Sequence, residues 1–418
     1  MVNNLSRFTC YCTLIGVFLV ASFSNARAQV SYPDTGIYNV ALILPFEIAS
    51  TQNRLDEFLG AHDVYTANRI HLSEEAQASL DFYEGLLIAL QQDTVGPHIK
   101  LSVYDCWSSD SVTKAILAKP ELKKMDIVIG AMSTANSKLV ADFCRMNRII
   151  NIQPFSPSKS LTTNNPYHIK LAPTIDSHID NMFLSIVDSF PGANVIIYTP
   201  NIDKDVSAAE RFDSLFRAYN ITAEKKFTWV LLNTKDMKVN GVKTTAADQL
   251  KPGVKNIWII TSFEESFVNG NMRVLYGDRV KYNIVAYGMP TWLNGDVLRL
   301  DYINDFETRL TDPFFVDSFK VSTRTFMELY NNNFNHMPEK NAYMGYDVTG
   351  FMLNAIKDNG RDILSNIATT RFRGTAYTFD IAKNLNKPAN GALPTINFFE
   401  NRYVNVFRIS DYQLRRVF

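Results

Sequence analysis

Short, continuous apolar runs alternate with longer amphipathic stretches along most of the chain. Tyr38 to Phe46 (YNVALILPF) has no polar face, which predicts a strand buried on both sides. Glu74 to Gln91 then sets Leu80, Tyr83, Leu87 and Leu90 on one face of a helix. A strand over Ile99 to Tyr104 and a helix over Asp110 to Leu122 follow. The stretch from Asp126 to Ser158 reads strand (to Gly130), helix (Leu139, Val140 and Phe143 on one side), strand (Ile149 to Ile152) and loop. After Asn164-Asn165-Pro166-Tyr167 the alternation begins again. Helices are expected over Ile179–Phe190, Ala208–Ala218, Thr244–Leu250 and Met272–Tyr276, and strands over Asn194–Tyr198, Phe227–Leu232, Asn256–Thr261 and Tyr282–Tyr287. Phe319–Asn331 and Gly345–Asp358 read as helices, and from Arg371 the tail turns to β character. There Asn401-Arg402, between Pro394–Glu400 and Tyr403–Ile409, predicts a hairpin. Strand and helix in steady alternation define an α/β protein with parallel sheets, wound twice. The polar stretch Ile48 to Leu72 is long for a connection and is a candidate flap.

At 418 residues the chain exceeds one ordinary core, so two lobes are expected. Lys plus Arg and Asp plus Glu are 42 each, which leaves no basic field for nucleic acid. The first 28 residues stand apart: Arg7, an apolar run from Phe8 to Phe23, then Ala26-Arg27-Ala28 before Gln29. This is the order of a secretory signal peptide, too short for a membrane span, and it predicts an exported chain starting near Gln29. No later stretch reads as a membrane span. Cys10 and Cys12 lie inside the apolar run, without a lipid-attachment pattern. Cys106 follows a strand and Cys144 ends a helix, positions expected to lie too far apart for a disulfide, which needs Cα atoms within about 7 Å.

Candidate chemistry gathers at two loops. Ser133 and Thr134 precede a helix, and Pro154-Phe155-Ser156-Pro157-Ser158 follows the next strand. In a parallel sheet both loops leave the carboxyl ends of neighbouring strands and face one crevice. Backbone N–H groups and the hydroxyls of Ser133, Thr134, Ser156 and Ser158 suit a carboxylate or another small polar ligand there. Helix capping accounts equally for Ser133 and Thr134. Thr199 and Ser262 stand at strand ends of the second unit, facing the same crevice, and Trp292 either stacks on the ligand or fills the hinge. Enzyme signatures are missing. No G-x-G-x-x-G follows the first strand, and there is neither a P-loop lysine nor a G-x-S-x-G elbow. His62, His71, His98, His168, His178 and His336 form no zinc pattern, so no metal, cofactor or catalytic role is expected.

The succession YNVALILPF, LDFYEGLLIALQQ, DIVIGAMST, ADFCRMNRIINIQPFSPS and NNPYHIKLAPT resembles the type I periplasmic ligand-binding proteins, among them the branched-chain amino-acid receptors. It is closest to the Bacteroidetes domains of this kind often linked to peptidoglycan-binding LysM repeats, though no LysM-like segment is visible. FRGTAYTFD resembles the family's closing β segment. The resemblance implies two Rossmann-like lobes joined by three crossings, with a ligand cleft between them. Lobe 1 is expected over 29–170 and 289–360, and lobe 2 over 171–288 and 361–418. It also implies that the loops Ala131–Thr134 and Phe155–Ser158 bind a ligand carboxylate, and that a membrane transporter or a peptidoglycan-related envelope protein is the partner in the periplasm. Two features depart from the pattern. Ala131 stands where proline is usual, and the loop Gly288-Met289-Pro290-Thr291-Trp292 lacks the acidic residue that pairs with an amino group.

Overall fold

A computed structural model describes residues 36–53, 72–93, 98–161, 163–235, 238–239, 242–294, 298–369, 371–386 and 393–418. The expected signal peptide (1–28), most of the candidate flap, His62 and His71 lie outside them.

The first sheet is built on parallel strands β1 (Ile37–Leu44), β2 (His98–Asp105), β3 (Ile127–Gly130), β4 (Ile150–Gln153) and β5 (His168–Lys170), in the order β2-β1-β3-β4-β5. Helices α1 (Glu74–Gln92), α2 (Asp110–Leu117) and α3 (Thr134–Asn147) connect them. Each helix starts at a serine (Ser73, Ser109 and Ser133) whose side chain accepts a backbone N–H of the first turn. Helix α2 stops short of the expected Leu122, because Pro120 has no N–H to continue it and begins a 3-10 turn instead. Cys106 and Cys144 are free and buried in one apolar cluster.

The second sheet repeats the pattern. Parallel strands β6 (Asn194–Thr199), β7 (Thr228–Asn233), β10 (Lys255–Ile260), β11 (Asn283–Tyr287) and β12 (Arg309–Asp312) run in the order β7-β6-β10-β11-β12, with β8 (Lys238–Val239) and β9 (Val242–Lys243) forming a small separate hairpin. Helices α4 (Ile175–Ser189), α5 (Asp203–Thr222) and α6 (Glu265–Tyr276) pack on it. Strand order therefore reverses twice, at β1/β3 and at β6/β10, and each reversal opens a crevice beyond the strands' carboxyl ends. The lobes have separate cores, one around Trp258, Phe212 and Phe216, the other around Phe82, Phe326 and Phe399.

The chain returns to the first lobe through α7 (Val321–Phe334) and α8 (Lys340–Asn359). Helix α8 meets α1 backbone to backbone. A Cβ on Gly85 would lie 1.9 Å from the Ala342 carbonyl oxygen, and one on Gly345 would lie 1.9 Å from that of Phe82. The glycine of the F-Y-E-G motif is thus required by helix packing.

The tail corrects two expectations. Strands β13 (Arg371–Arg373), β14 (Thr378–Leu385) and β15 (Ile396–Asn401) extend the first sheet, whereas β16 (Asn405–Ser410) and β17 (Gln413–Arg416) extend the second. Hence β15 and β16 are not a hairpin, and 361–418 does not belong wholly to the second lobe. Strand β12, expected in lobe 1, also lies in the second sheet. The reason is local. The buried Asn401 side chain accepts the N–H groups of Asp380 (2.9 Å) and Tyr403 (3.0 Å) and donates to the carbonyls of Leu171 (3.2 Å) and Thr378 (3.3 Å). These bonds end β15 in the first sheet, and residues 402–404 cross over. Asn405, the first residue beyond, donates to the Asp312 and Pro313 carbonyls at 3.1 and 3.3 Å. The third crossing is in this way tied to the first, at Leu171, and to the second, at Asp312–Pro313. Asn401→Ala is expected to lower stability by about 2 kcal/mol, since it leaves buried backbone partners unpaired; urea unfolding of the parent and the variant measures it.

Candidate functional site

A cavity of about 530 Å³ opens between the lobes, against the first two crossings. Met132 beyond β3, Phe155 beyond β4, Met344 and Val348 on α8, and Phe379 on β14 supply apolar walls. The crossings contribute Leu171 to Pro173 and Thr311 to Pro313, and the second lobe adds His178, Pro290 and Thr291.

Charged and polar groups are few and specific. Lys340 and Asn341, in the first turn of α8, both line the cavity. A cation at a helix N-terminus opposes the helix dipole. Asp312 offsets this from the second crossing, with its Oδ2 3.7 Å from Lys340 Nζ. The ammonium also lies 5.4 Å from the centroid of the Phe314 ring. His178 Nδ1 and Thr311 Oγ1 are 2.9 Å apart, and burial lowers the His178 pKa to about 4, so at neutral pH the ring is uncharged. Tyr377 lines the cavity too; its hydroxyl is buried without a hydrogen-bond partner among the described residues, and burial holds its pKa well above the ordinary value. The segment carrying it is held by Asp347. That carboxylate, fully buried, accepts the N–H groups of Thr375, Ala376 and Tyr377 at 2.7–2.8 Å and the Thr375 hydroxyl at 2.9 Å. Burial raises the Asp347 pKa despite those donors. Asp347 is thus the anchor of one cavity wall.

The two predicted loops do meet. Gln153, at the end of β4, joins them: its Nε2 donates to the Ala131 carbonyl (2.8 Å) and to Ser137 Oγ (2.7 Å), while its Oε1 accepts from the N–H groups of Phe155 (2.7 Å) and Ser156 (3.1 Å). Thr134 Oγ1 lies 3.3 Å from Ser156 Oγ across the junction. Ser133 serves as the cap of α3, accepting from Asn136 N–H at 3.2 Å. Ser158 Oγ pairs with Ser160 Oγ at 2.9 Å, and the Ser158 carbonyl takes the buried Lys170 ammonium at 2.6 Å. The residues these loops turn into the cavity are Met132, Pro154, Phe155 and Pro157. In the second lobe, Thr199 donates to the Pro200 carbonyl at 3.0 Å, and Ser262 Oγ accepts from Glu264 N–H at 3.0 Å. Trp292 donates from Nε1 to the Ser262 carbonyl at 2.9 Å, and its ring lies over Gly288, where a Cβ would come within 2.1 Å of it. These three are buried in the second lobe, outside the cavity lining, and Trp292 packs into that lobe's core. Among the described residues no cluster of three or more His, Cys, Asp or Glu side chains could hold a metal ion.

A scan against protein-family models gives no match, and a search of curated proteins gives none either. Solved structures do match. A Rhodospirillum rubrum protein assigned to branched-chain amino acid ABC transport aligns with TM-score 0.58 at 14% identity, covering 91% of this chain and 100% of its own. A branched-chain amino acid ABC transporter periplasmic ligand-binding protein from Burkholderia xenovorans aligns at TM-score 0.53 and 10% identity, covering 91% and 94%. A Desulfitobacterium hafniense ABC transporter substrate-binding protein, solved with Leu, aligns at 0.51 and 15%, covering 91% and 100%. The two sheets, their interleaved helices and these likenesses define the bilobed type I periplasmic-binding fold.

Proposed function

We propose that the protein is an exported solute-binding protein whose lobes close on a small ligand without chemical change. The carrying observation is the cavity at the crossings, where apolar walls surround the Lys340–Asp312 pair. Such a lining fits a solute with an apolar body and one charged or strongly polar group; amino-acid-like solutes, short peptides and cell-wall fragments are the candidate classes. The loops that carry Ser133, Thr134, Ser156 and Ser158 reach the cavity through Met132, Phe155 and Pro157, so their part in this reading is to shape its apolar wall. The leader pattern at 1–28 and the fold support a periplasmic location and an ABC-type membrane transporter as partner. Among the described residues no helix is long and apolar enough to cross a membrane. The peptidoglycan-related partner rests on the sequence resemblance, and no feature of the cavity favours it.

Thermal-shift screening against amino acids, aliphatic and aromatic carboxylates, short peptides and muropeptides tests this reading. Ligand at 100 times its Kd stabilises by about 2.7 kcal/mol. A hit is expected to bind at least about tenfold more weakly to Lys340→Met, the effect of losing one charge-assisted hydrogen bond. A broad library without any response, or a hit indifferent to Lys340, sinks the assignment of this cavity.

A further inference from the structure

A second cavity, of about 450 Å³, lies on the crossings and differs from the first in charge. Lys320, Arg371, Arg373 and Arg416 line it, against a single acidic side chain, Asp317. In a chain with equal numbers of cations and anions, this is a local excess. The neighbours of each charge decide what is left for a ligand. Arg371 is paired with Asp380 on the adjacent strand. Lys320 donates to the Gly374 carbonyl, which leaves its charge uncompensated. Arg373 and Arg416 are exposed and have no carboxylate partner among the described residues. The Arg416 guanidinium lies 4.6 Å from the centroid of the Phe315 ring, so a face is covered while the in-plane N–H donors stay available. Asp317 is engaged locally, accepting the Phe319 N–H at 3.0 Å.

The walls also come from both lobes. Arg373 stands on β13 of the first sheet and Arg416 on β17 of the second, with Tyr403 of the third crossing and Asn405, the first residue of β16, between them in the lining. Guanidinium groups bind planar and tetrahedral oxyanions through paired N–H donors. Lys320, Arg373 and Arg416 outnumber the one acidic side chain, Asp317, so the lining keeps an excess of positive charge that favours an anion. We propose that this cavity is a second ligand site, distinct from the inter-lobe cavity, that takes a phosphate-class anion held by Arg373 and Arg416 with Lys320 as the third cation. Because the donors belong to different lobes, the bound anion spans the hinge. Tyr377 lines both cavities and is the residue they share.

Inorganic phosphate and phosphatidylglycerol vesicles are the probes, with phosphatidylcholine vesicles as the neutral reference, all at low ionic strength because exposed charges are screened by salt. The parent protein is expected to bind phosphate, by calorimetric titration, or the anionic vesicles, by co-sedimentation. The double variant Arg373→Ala/Arg416→Ala is expected to bind at least about tenfold more weakly, since each guanidinium gives charge-assisted hydrogen bonds. Both side chains are exposed, and an unchanged melting curve confirms that the variant is folded. Arg299→Ala, an exposed arginine outside the cavity, is expected to behave as the parent. Phosphate binding without vesicle binding identifies a soluble phosphorylated ligand, and vesicle binding alone identifies a lipid headgroup; both keep the site. Binding of neither probe, or binding that survives in the double variant, overturns it.

Discussion

A single added methyl group at Gly345 is expected to lower stability by about 3 kcal/mol or more, at the upper end of overpacking effects. The Cβ of Gly345→Ala would sit 1.9 Å from the Phe82 carbonyl oxygen, a backbone atom that moves only if α1 moves. Relief therefore requires that α1 and α8 separate, which loosens the core around Phe82, Phe326 and Tyr343. It also displaces the wall of the inter-lobe cavity, because Lys340, Asn341, Met344 and Val348 all belong to α8. Gly350→Ala, one and a half turns further along the same helix, is the control. Its Cβ meets only the tip of the Phe372 ring, at 3.1 Å, and alanine is the better helix former by about 1 kcal/mol. Denaturant unfolding of both variants measures the difference. If Gly345→Ala proves as benign as Gly350→Ala, the close crossing of the two helices is not what organises this lobe.

That crossing also shows which parts of the molecule the sequence discloses. Strands β3, β6, β10 and β11 are visible as apolar runs because both faces of a central parallel strand are covered, so no polar residue interrupts them. The serine caps of α1, α2 and α3 are visible for a similarly local reason. The lobe to which each tail strand belongs is not visible. Phe399 pairs with Ile169, and Thr311 with Val406, through contacts that no local pattern encodes. The same holds for the cavity. The loops after β3 and β4 are found from the strand-to-helix rule, but Asp312 meets Lys340, and His178 meets Thr311, only once three crossings have brought separate segments together. Hydroxyls at loop positions look available in a sequence. In the fold, Ser133 is engaged as a cap, Thr199 and Ser262 bond nearby backbone groups, and their apolar neighbours or distant residues form the lining.

Stability is expected to fall as the pH drops from 7 to 5, because two histidines are held neutral inside the folded chain. His168 is fully buried, neither ring nitrogen has a hydrogen-bond partner among the described residues, and burial together with the nearby Lys170 charge lowers its pKa to about 3. His178 is lowered to about 4 by burial. Both native values lie below the unfolded value near 6.5, so between these limits the unfolded chain binds protons that the native chain does not. Stability contributed by such groups is intact above the unfolded value and is lost as the pH falls below it. At pH 5 the deficit is roughly 1.5 pKa units for each ring, or about 2 kcal/mol each and about 4 kcal/mol for the pair. Asp81, Asp205 and Asp347, whose pKa values burial raises, act in the opposite sense, so the decisive quantity is the difference between parent and variant. His168→Leu removes one titrating ring from an apolar site without leaving a partner unpaired. Between pH 7 and pH 5 its unfolding free energy is expected to decline by about 2 kcal/mol less than that of the parent. Parallel pH profiles would contradict a neutral, buried His168 and shift the acid sensitivity to His178, whose ring borders the inter-lobe cavity.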